Sequence, residues 1–192
     1  MSKKLILASN SPRRQQMLRE LGMAFEVKTL EVDESYGDMP ADEVAEYLAV
    51  KKNQAYRAIL DEEVVITADT IVIHQQRVLG KPKSEEEAVD MIRSMASNTH
   101  QVVSAVCISD GEKVVSFSDR VEVTMSQLTD EEIHHYVSVY QPMDKAGAYG
   151  IQEWMGMVGV EKISGSFYSV VGLPIHRVYQ SLKSDFGITP KF

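Results

Sequence analysis

The apolar run Leu5–Ala8 leads directly into Ser9-Asn10-Ser11-Pro12, and apolar residues then recur at helical spacing at Met17, Leu18 and Leu21 before Gly22. A short apolar run reads as a buried strand and a 3.6-residue repeat as a helix, so the chain is committed to a strand–helix unit at its start. Ser11 suits an N-cap, and Pro12 suits the first helical position, where an N–H would go unpaired in any case. Arg13 and Arg14 therefore fall in the first turn. The helix N-terminus already carries about half a positive charge, so cations there cost a few tenths of a kcal/mol. Two readings stay open at this point: an ordinary Ser-Pro helix start with two solvated arginines, or helix amides and guanidiniums arranged for a phosphate.

The same alternation continues. "FEVKTLEV" alternates as a strand would, and "PADEVAEYLAVKKNQAYRAIL" spaces Val44, Leu48, Ala55 and Ile59 as a helix. "VVITADT" reads as a strand, and "IVIH" with "RVLG" reads as a hairpin about Gln75-Gln76. Ser84 with Glu87, and Thr129 with Glu132, are capping-box signatures that start two further helices. Between them, Asp110-Gly111 joins "QVVSAVCIS" to "EKVVSFSDRVEV" as the strongest hairpin signal. A glycine-rich segment follows, then a last helix near Ile175–Ser184. Strands alternating with helices and broken by hairpins predict an α/β fold: a mixed twisted sheet with flanking helices. In such sheets ligands bind beyond the carboxyl ends of strands. That rule selects Ser9 to Arg14, Asp33-Glu34 and Asp69-Thr70.

Composition narrows the function. Against 28 acidic residues stand 20 basic ones, a net charge of −8. This disfavours a nucleic-acid polymer or an anionic membrane as partner, since both need a basic field. Any phosphate site must be local. The single Cys107 lies in an alternating apolar run and reads as buried strand filler in a reducing compartment. No apolar stretch reaches signal-peptide or membrane-span length, so a cytoplasmic location is expected.

Asp69 ends the apolar run "VVITA", where a carboxylate needs a cation or several donors to offset its burial. Glu34 and Asp69 together could hold a divalent ion through oxygen, as Mg²⁺ or Mn²⁺ prefers. Taken singly, both read equally as solvated acids, and Lys52 and Lys81 as surface charges. Other templates fail. Gly80-Lys81 lacks the spacing and the Ser or Thr of a P-loop. "EEIHH" lacks the two-His spacing of a zinc protease helix, leaving His134 and His135 as a solvated face. Trp154 reads as core, partner contact or base-stacking platform.

As a set, "LASNSPRR", "VDE" at 32–34, "LAVKK" at 48–52, "ADT" at 68–70, "LGKP" at 79–82, "DKAGAYGIQ" at 144–152 and "VVGLP" at 170–174 resemble the Maf family of nucleoside triphosphate pyrophosphatases, in order and through nearly the whole chain. The resemblance implies a single domain over residues 1–192, two lobes around a nucleotide cleft as in inosine triphosphate pyrophosphatase, and a divalent metal cofactor, Mg or Mn. It implies Asp69 as catalytic base, Glu34 and Asp69 as metal ligands, and Arg13, Lys52 and Lys81 as phosphate-binding cations. Ser9 and Arg14 would join substrate binding, with Arg13, Thr70 and Gln152 at positions tied to nucleobase choice. "ADT" and "GIQ" resemble the branch acting on dTTP and UTP. Two places depart from the family pattern: Glu153-Trp154 follows Gln152 where Gly is common, and Ser169 precedes "VVGLP" where some members have Asn. The expected partner is a nucleoside triphosphate, with a homodimer left open. Alternatives are a pyrophosphatase acting on 7-methyl-GTP or another non-canonical nucleotide, and a nucleotide-binding regulator of septum formation that does not turn over.

Overall fold

A computed structural model of the chain describes residues 3–57 and 62–190. Its strands are β1 (Leu5–Leu7), β2 (Glu26–Val27), β3 (Val64–His74), β4 (Arg77–Leu79), β5 (Thr99–Ser109), β6 (Val114–Met125) and β7 (Val160–Ser164). The helices are α1 (Pro12–Glu20), α2 (Val44–Arg57), α3 (Glu85–Met95), α4 (Asp130–Tyr140), α5 (Trp154–Val158), α6 (Phe167–Val171) and α7 (Ile175–Asp185). The strands form one mixed sheet of order β2-β1-β3-β5-β6-β7, with β4 paired to β3. β1 is parallel to both β2 and β3, while β3–β4 and β6–β7 are antiparallel. The mixed α/β architecture expected from the alternation is the one observed.

Local chemistry explains most element boundaries. Ser11 caps α1 by accepting the Arg14 N–H, and Pro12 opens the helix. Thr129 and Glu132 form a complete capping box at α4. At α3 the box is half made: Ser84 accepts the Glu87 N–H, but the Glu87 carboxylate takes the Lys83 N–H at 2.7 Å, one residue before the cap. Gln75 and Gln76 both have positive φ, the backbone that a two-residue hairpin loop requires, and β3 pairs with β4 from His74↔Arg77.

Three expectations change. "FEVKTLEV" gives only the two-residue β2, because Tyr56 of α2 captures the strand that would follow: its hydroxyl donates to Lys28 O at 3.0 Å and accepts from Leu30 N at 2.6 Å. Asp69-Thr70 does not follow a strand but lies inside β3, whose β-branched run continues through Ile71, Val72 and Ile73. β3 pairs with β1 over residues 64–66 and with β4 over 72–74, so Asp69 lies beyond the end of β1 rather than of its own strand. Third, the helix drawn from residue 40 begins with a separate 3-10 turn, Ala41–Glu43, and the expected core position Ile59 lies outside the described residues.

The chain divides into two compact units, each discontinuous in sequence: Met1–Asp69 with Ser104–Asp119 and Gly172–Phe192, and Thr70–Val103 with Arg120–Val171. In the first, α2 is fastened to the sheet by polar ties inside the core. Thr67 Oγ1 donates to Ala49 O at 2.7 Å, and Asn53 Nδ2 donates to Val65 O and Cys107 O. Val44, Ala45, Leu48 and Ala49 of the helix are buried. Cys107 is buried filler as expected, and burial pushes its thiol up to about 12. In the second unit α3 packs on α4, and Ala88, Val89, Ile92, Ile133, Tyr136 and Val137 build the core with Val121 and Val123 of β6. Trp154 packs against this core edge-on to His135, at 5.4 Å between ring centroids. Among the described residues no helix is long and apolar enough to cross a membrane.

Candidate active site

In a strand, alternate residues share a face, and Val65, Thr67 and Asp69 therefore point the same way. Thr67 bonds α2 directly, so Asp69 is carried toward that helix one step further along. There Lys52, four residues before Tyr56 on α2, places its Nζ 2.6 Å from Asp69 Oδ1 and 2.8 Å from Glu34 Oε1. Three segments distant in sequence converge on one ammonium. Asp69 and Lys52 are largely buried while the Glu34 side chain is 57% exposed, which makes the cluster accessible from the Glu34 side.

The loop that delivers Glu34 is braced on both flanks. Upstream, Tyr56 holds Lys28 and Leu30. Around Glu34 itself, Asp33 accepts the Ser35 main-chain N–H at 3.0 Å and, through Oδ2, the Ser35 hydroxyl. Lys51 Nζ reaches Asp33 Oδ2 at 3.1 Å and Ser35 O at 2.8 Å. The Ser35 hydroxyl, the Ser35 N–H and Lys51 together hold the Asp33 carboxyl down at about 2.

Arg14, from the first turn of α1, ties the helix to neighbouring main chain: Nε donates to Gly172 O at 2.8 Å and Nη1 to Ala68 O at 3.0 Å, with Ser9 Oγ at 3.4 Å. Ser9 is buried and accepts the Ser11 N–H at 3.2 Å. Burial lowers the Arg14 pKa and Asp69 raises it, while Arg13 lowers and Glu34 raises it by smaller amounts. These four charged groups therefore share one electrostatic neighbourhood in the first unit. The α1 N-terminus has no acidic residue in its first turn, so the cations and the helix amides add rather than cancel.

Thr70, Lys81 and Gln152 belong to the second unit. Thr70 follows Asp69 in β3 and faces the opposite side of the sheet. Lys81 is exposed after β4, and the preceding Gly80 carbonyl accepts the Gly147 N–H at 3.0 Å. Gly147 is at φ 70° in a segment where a Cβ would lie 2.8 Å from Val72 Cγ2, so only glycine lets it approach β3 and hold Gly80. Gln152 is exposed.

Sequence reasoning passed over Lys145. It is a buried cation between Asp144 at 2.8 Å and Glu153 Oε1 at 3.1 Å. A lysine in a glycine-rich stretch followed eight residues later by an unusual glutamate was the available signal, but their pairing depends on a fold in three dimensions.

Among the described residues no three His, Cys, Asp or Glu side chains gather as a metal-ligand set. The pair Glu34 and Asp69 nevertheless meets on a single cation, and two carboxylates are what a Mg²⁺-type site draws from protein when water and substrate phosphates fill the other positions. The donor set fits a hard divalent ion.

Residues 4–185 match the family described as Maf-like protein. A Bacteroides thetaiotaomicron protein named dTTP/UTP pyrophosphatase is 50% identical over 182 residues, 93% of this chain and 94% of its own length. A protein of the same name from Porphyromonas gingivalis is 46% identical over 189 residues, 96% and 94%. One from Flavobacterium johnsoniae is 45% identical over 181 residues, 93% of each. The solved structure of the Staphylococcus aureus Ham1 protein aligns over 64% of this chain and 72% of its own at 17% identity, with a TM-score of 0.44.

Proposed function

The chain belongs to the Maf family, and on that premise we propose that it is a nucleoside triphosphate pyrophosphatase that cleaves dTTP and UTP to the monophosphate and pyrophosphate. The observation that carries the reading is the convergence of Asp69, Glu34 and Lys52 within 2.8 Å contacts, in one unit with the cationic start of α1. A binding protein would gain little from a carboxylate held there, since it repels the triphosphate; a hydrolase needs it to take a proton.

In the proposed reaction a water oxygen attacks the α-phosphorus and gives its proton to Asp69. The bond between the α-phosphorus and its bridging oxygen breaks, and pyrophosphate leaves with the electron pair. Lys52 holds the Asp69 and Glu34 carboxylates together before substrate arrives. Arg13, Arg14, Lys81 and the N-terminal end of the α1 dipole meet the triphosphate, each charge-assisted contact being worth about 1.5–3 kcal/mol. That outweighs the few tenths that two arginines cost at a helix N-terminus. Glu34 and Asp69 would hold the Mg²⁺ or Mn²⁺ ion, which when bound neutralises charge on the phosphates. Thr70 and Gln152 face the nucleobase in this reading.

A panel of nucleoside triphosphates, assayed with Mg²⁺ and Mn²⁺ and with the phosphate products resolved, tests it. The expected outcome is pyrophosphate released from dTTP and UTP. Orthophosphate as the primary product would overturn the reaction; cleavage confined to 7-methyl-GTP would reassign the base; tight binding without turnover would leave a nucleotide-responsive regulator.

A further inference from the structure

The turn that carries Gln152 is held at both ends by one buried hydroxyl. Tyr136 of α4 accepts the Gly150 N–H at 2.9 Å and donates to Glu153 Oε2 at 2.5 Å. The main chain closes the same four residues through Glu153 N to Gly150 O at 3.1 Å. Glu153 Oε1 lies 3.1 Å from the buried Lys145 Nζ, which also meets Asp144. The carboxylate lies so close over Gly150 that a Cβ there would stand 2.8 Å from Glu153 Cδ. Ile151 is buried in the core. Of the four turn residues, Gln152 alone is exposed.

A solvent-facing glutamine on an unbraced glycine turn would sample many orientations, and a ligand selecting one of them would lose affinity by the fraction populated. Burying a lysine and a glutamate is a costly way to brace it, since an apolar pair of similar volume is often as stable. What the ionic version supplies is direction: the Glu153 carboxylate must face both the tyrosine hydroxyl and the ammonium, which fixes the turn's exit as the Gly150 amide fixes its entry.

We propose that Tyr136, Glu153 and Lys145 are positioning residues that hold the Gly150–Glu153 turn in the one conformation presenting Gln152 to the nucleobase, so that Glu153 governs base selectivity without touching substrate. This rests on the pyrophosphatase reading above and extends it to residues outside the reacting cluster.

The test is a double-mutant cycle in the full chain: Tyr136→Phe and Glu153→Gln, each alone and combined with Gln152→Ala, with kcat and KM for dTTP and dCTP and the melting temperature measured for every variant. Each single change is expected to raise KM for dTTP about five- to twentyfold with kcat within about threefold, and to move the dTTP-over-dCTP preference toward that of Gln152→Ala. On the Gln152→Ala background the same change should add less than about twofold, since the residue through which it acts is gone. Fully multiplying losses, or a fall in kcat with the preference intact, would overturn the proposal and leave these residues as packing alone. If Tyr136→Phe fails to fold, Glu153→Gln, which keeps the shape and an acceptor oxygen, decides the matter by the same ratios. A wild-type protein inactive on every triphosphate overturns the functional reading and this one with it, whereas an active wild type with multiplying losses overturns this one alone.

Discussion

Two lysines in this chain do the same charge arithmetic and differ in everything around it. Lys52 sits between Asp69 and Glu34 at 2.6 and 2.8 Å; Lys145 sits between Glu153 and Asp144 at 3.1 and 2.8 Å. Each cluster has one half-open carboxylate and one largely buried one. Around Lys52 the neighbours are guanidiniums and a helix N-terminus: Arg13 and Arg14 belong to the same electrostatic neighbourhood. Around Lys145 they are rings. Tyr136, whose hydroxyl takes the remaining Glu153 oxygen, stacks on Tyr140 at 5.1 Å and on Trp154 at 6.4 Å. Burial, and then the bond to Glu153, raise the Tyr136 pKa, so its hydroxyl stays a donor. An ion triad set beside further cations and a helix N-terminus is prepared for an anion to arrive, and one closed by a phenol and aromatic rings is prepared for nothing to move.

The largest expected effect separates the two at Asp69. Asp69→Asn keeps the shape and removes the proton-accepting oxygen, so kcat should fall at least about a thousandfold, about 4 kcal/mol in the transition state. The melting temperature should change little, and dTTP affinity should survive better than turnover because one carboxylate facing the triphosphate is gone. A folded Asp69→Asn protein hydrolysing dTTP within tenfold of wild type would erase the distinction between the two clusters.

Next comes the matching change in the closed cluster. Lys145→Met leaves the Glu153 carboxylate without its buried cation, a loss of about 3 kcal/mol and roughly 6–12 °C in Tm. Lys52→Met should lower Tm by less than about 3 °C, since Glu34 turns to solvent and Asp69 has cationic neighbours. Thermal melts of the two variants side by side check it; equal shifts would mean that both triads are architecture.

Lys81→Ala is smaller again. The residue is exposed, so stability should hold, while kcat/KM falls about ten- to hundredfold if the ammonium meets a phosphate, or about 1.5–3 kcal/mol. An unchanged kcat/KM would return Lys81 to an ordinary solvated turn.

What the sequence made legible was local. Ser11, Pro12 and the Thr129–Glu132 box mark helix starts because their chemistry is completed within four residues, and the family motifs name Asp69, Glu34 and Lys52 from the sequence alone. What it did not reveal was settled at long range. The strand read into "FEVKTLEV" stops where a tyrosine from α2 takes its main-chain bonds. A charge closing the apolar run "VVITA" predicts a strand end at Asp69; β3 runs on, and the end of β1 is what opens beside it. Lys145 beside Asp144 reads in sequence as a surface pair, since its burial depends on Glu153 eight residues away and on the Tyr136 hydroxyl that fixes that carboxylate.

The smallest effect tests where the reactive cluster ends. Asp33 adjoins Glu34, yet its carboxyl is engaged by the Ser35 hydroxyl, the Ser35 N–H and Lys51, which hold it at about 2. A carboxyl depressed below its ordinary value of about 3.9 adds stability that is complete above that value and is lost as pH falls from about 4 toward 2. Across pH 5–9 Asp33 should therefore contribute no titration to the rate. Asp33→Asn retains an oxygen for the Ser35 N–H and gives up only the exposed pair with Lys51, and exposed pairs contribute little. At pH 7 kcat/KM should fall by less than about threefold, and the acid limb of the pH–rate profile above pH 4 should superimpose on that of wild type. A displaced limb, or a loss beyond tenfold, would move Asp33 into the reacting group and redraw the boundary between the cluster that does chemistry and the turn that holds it.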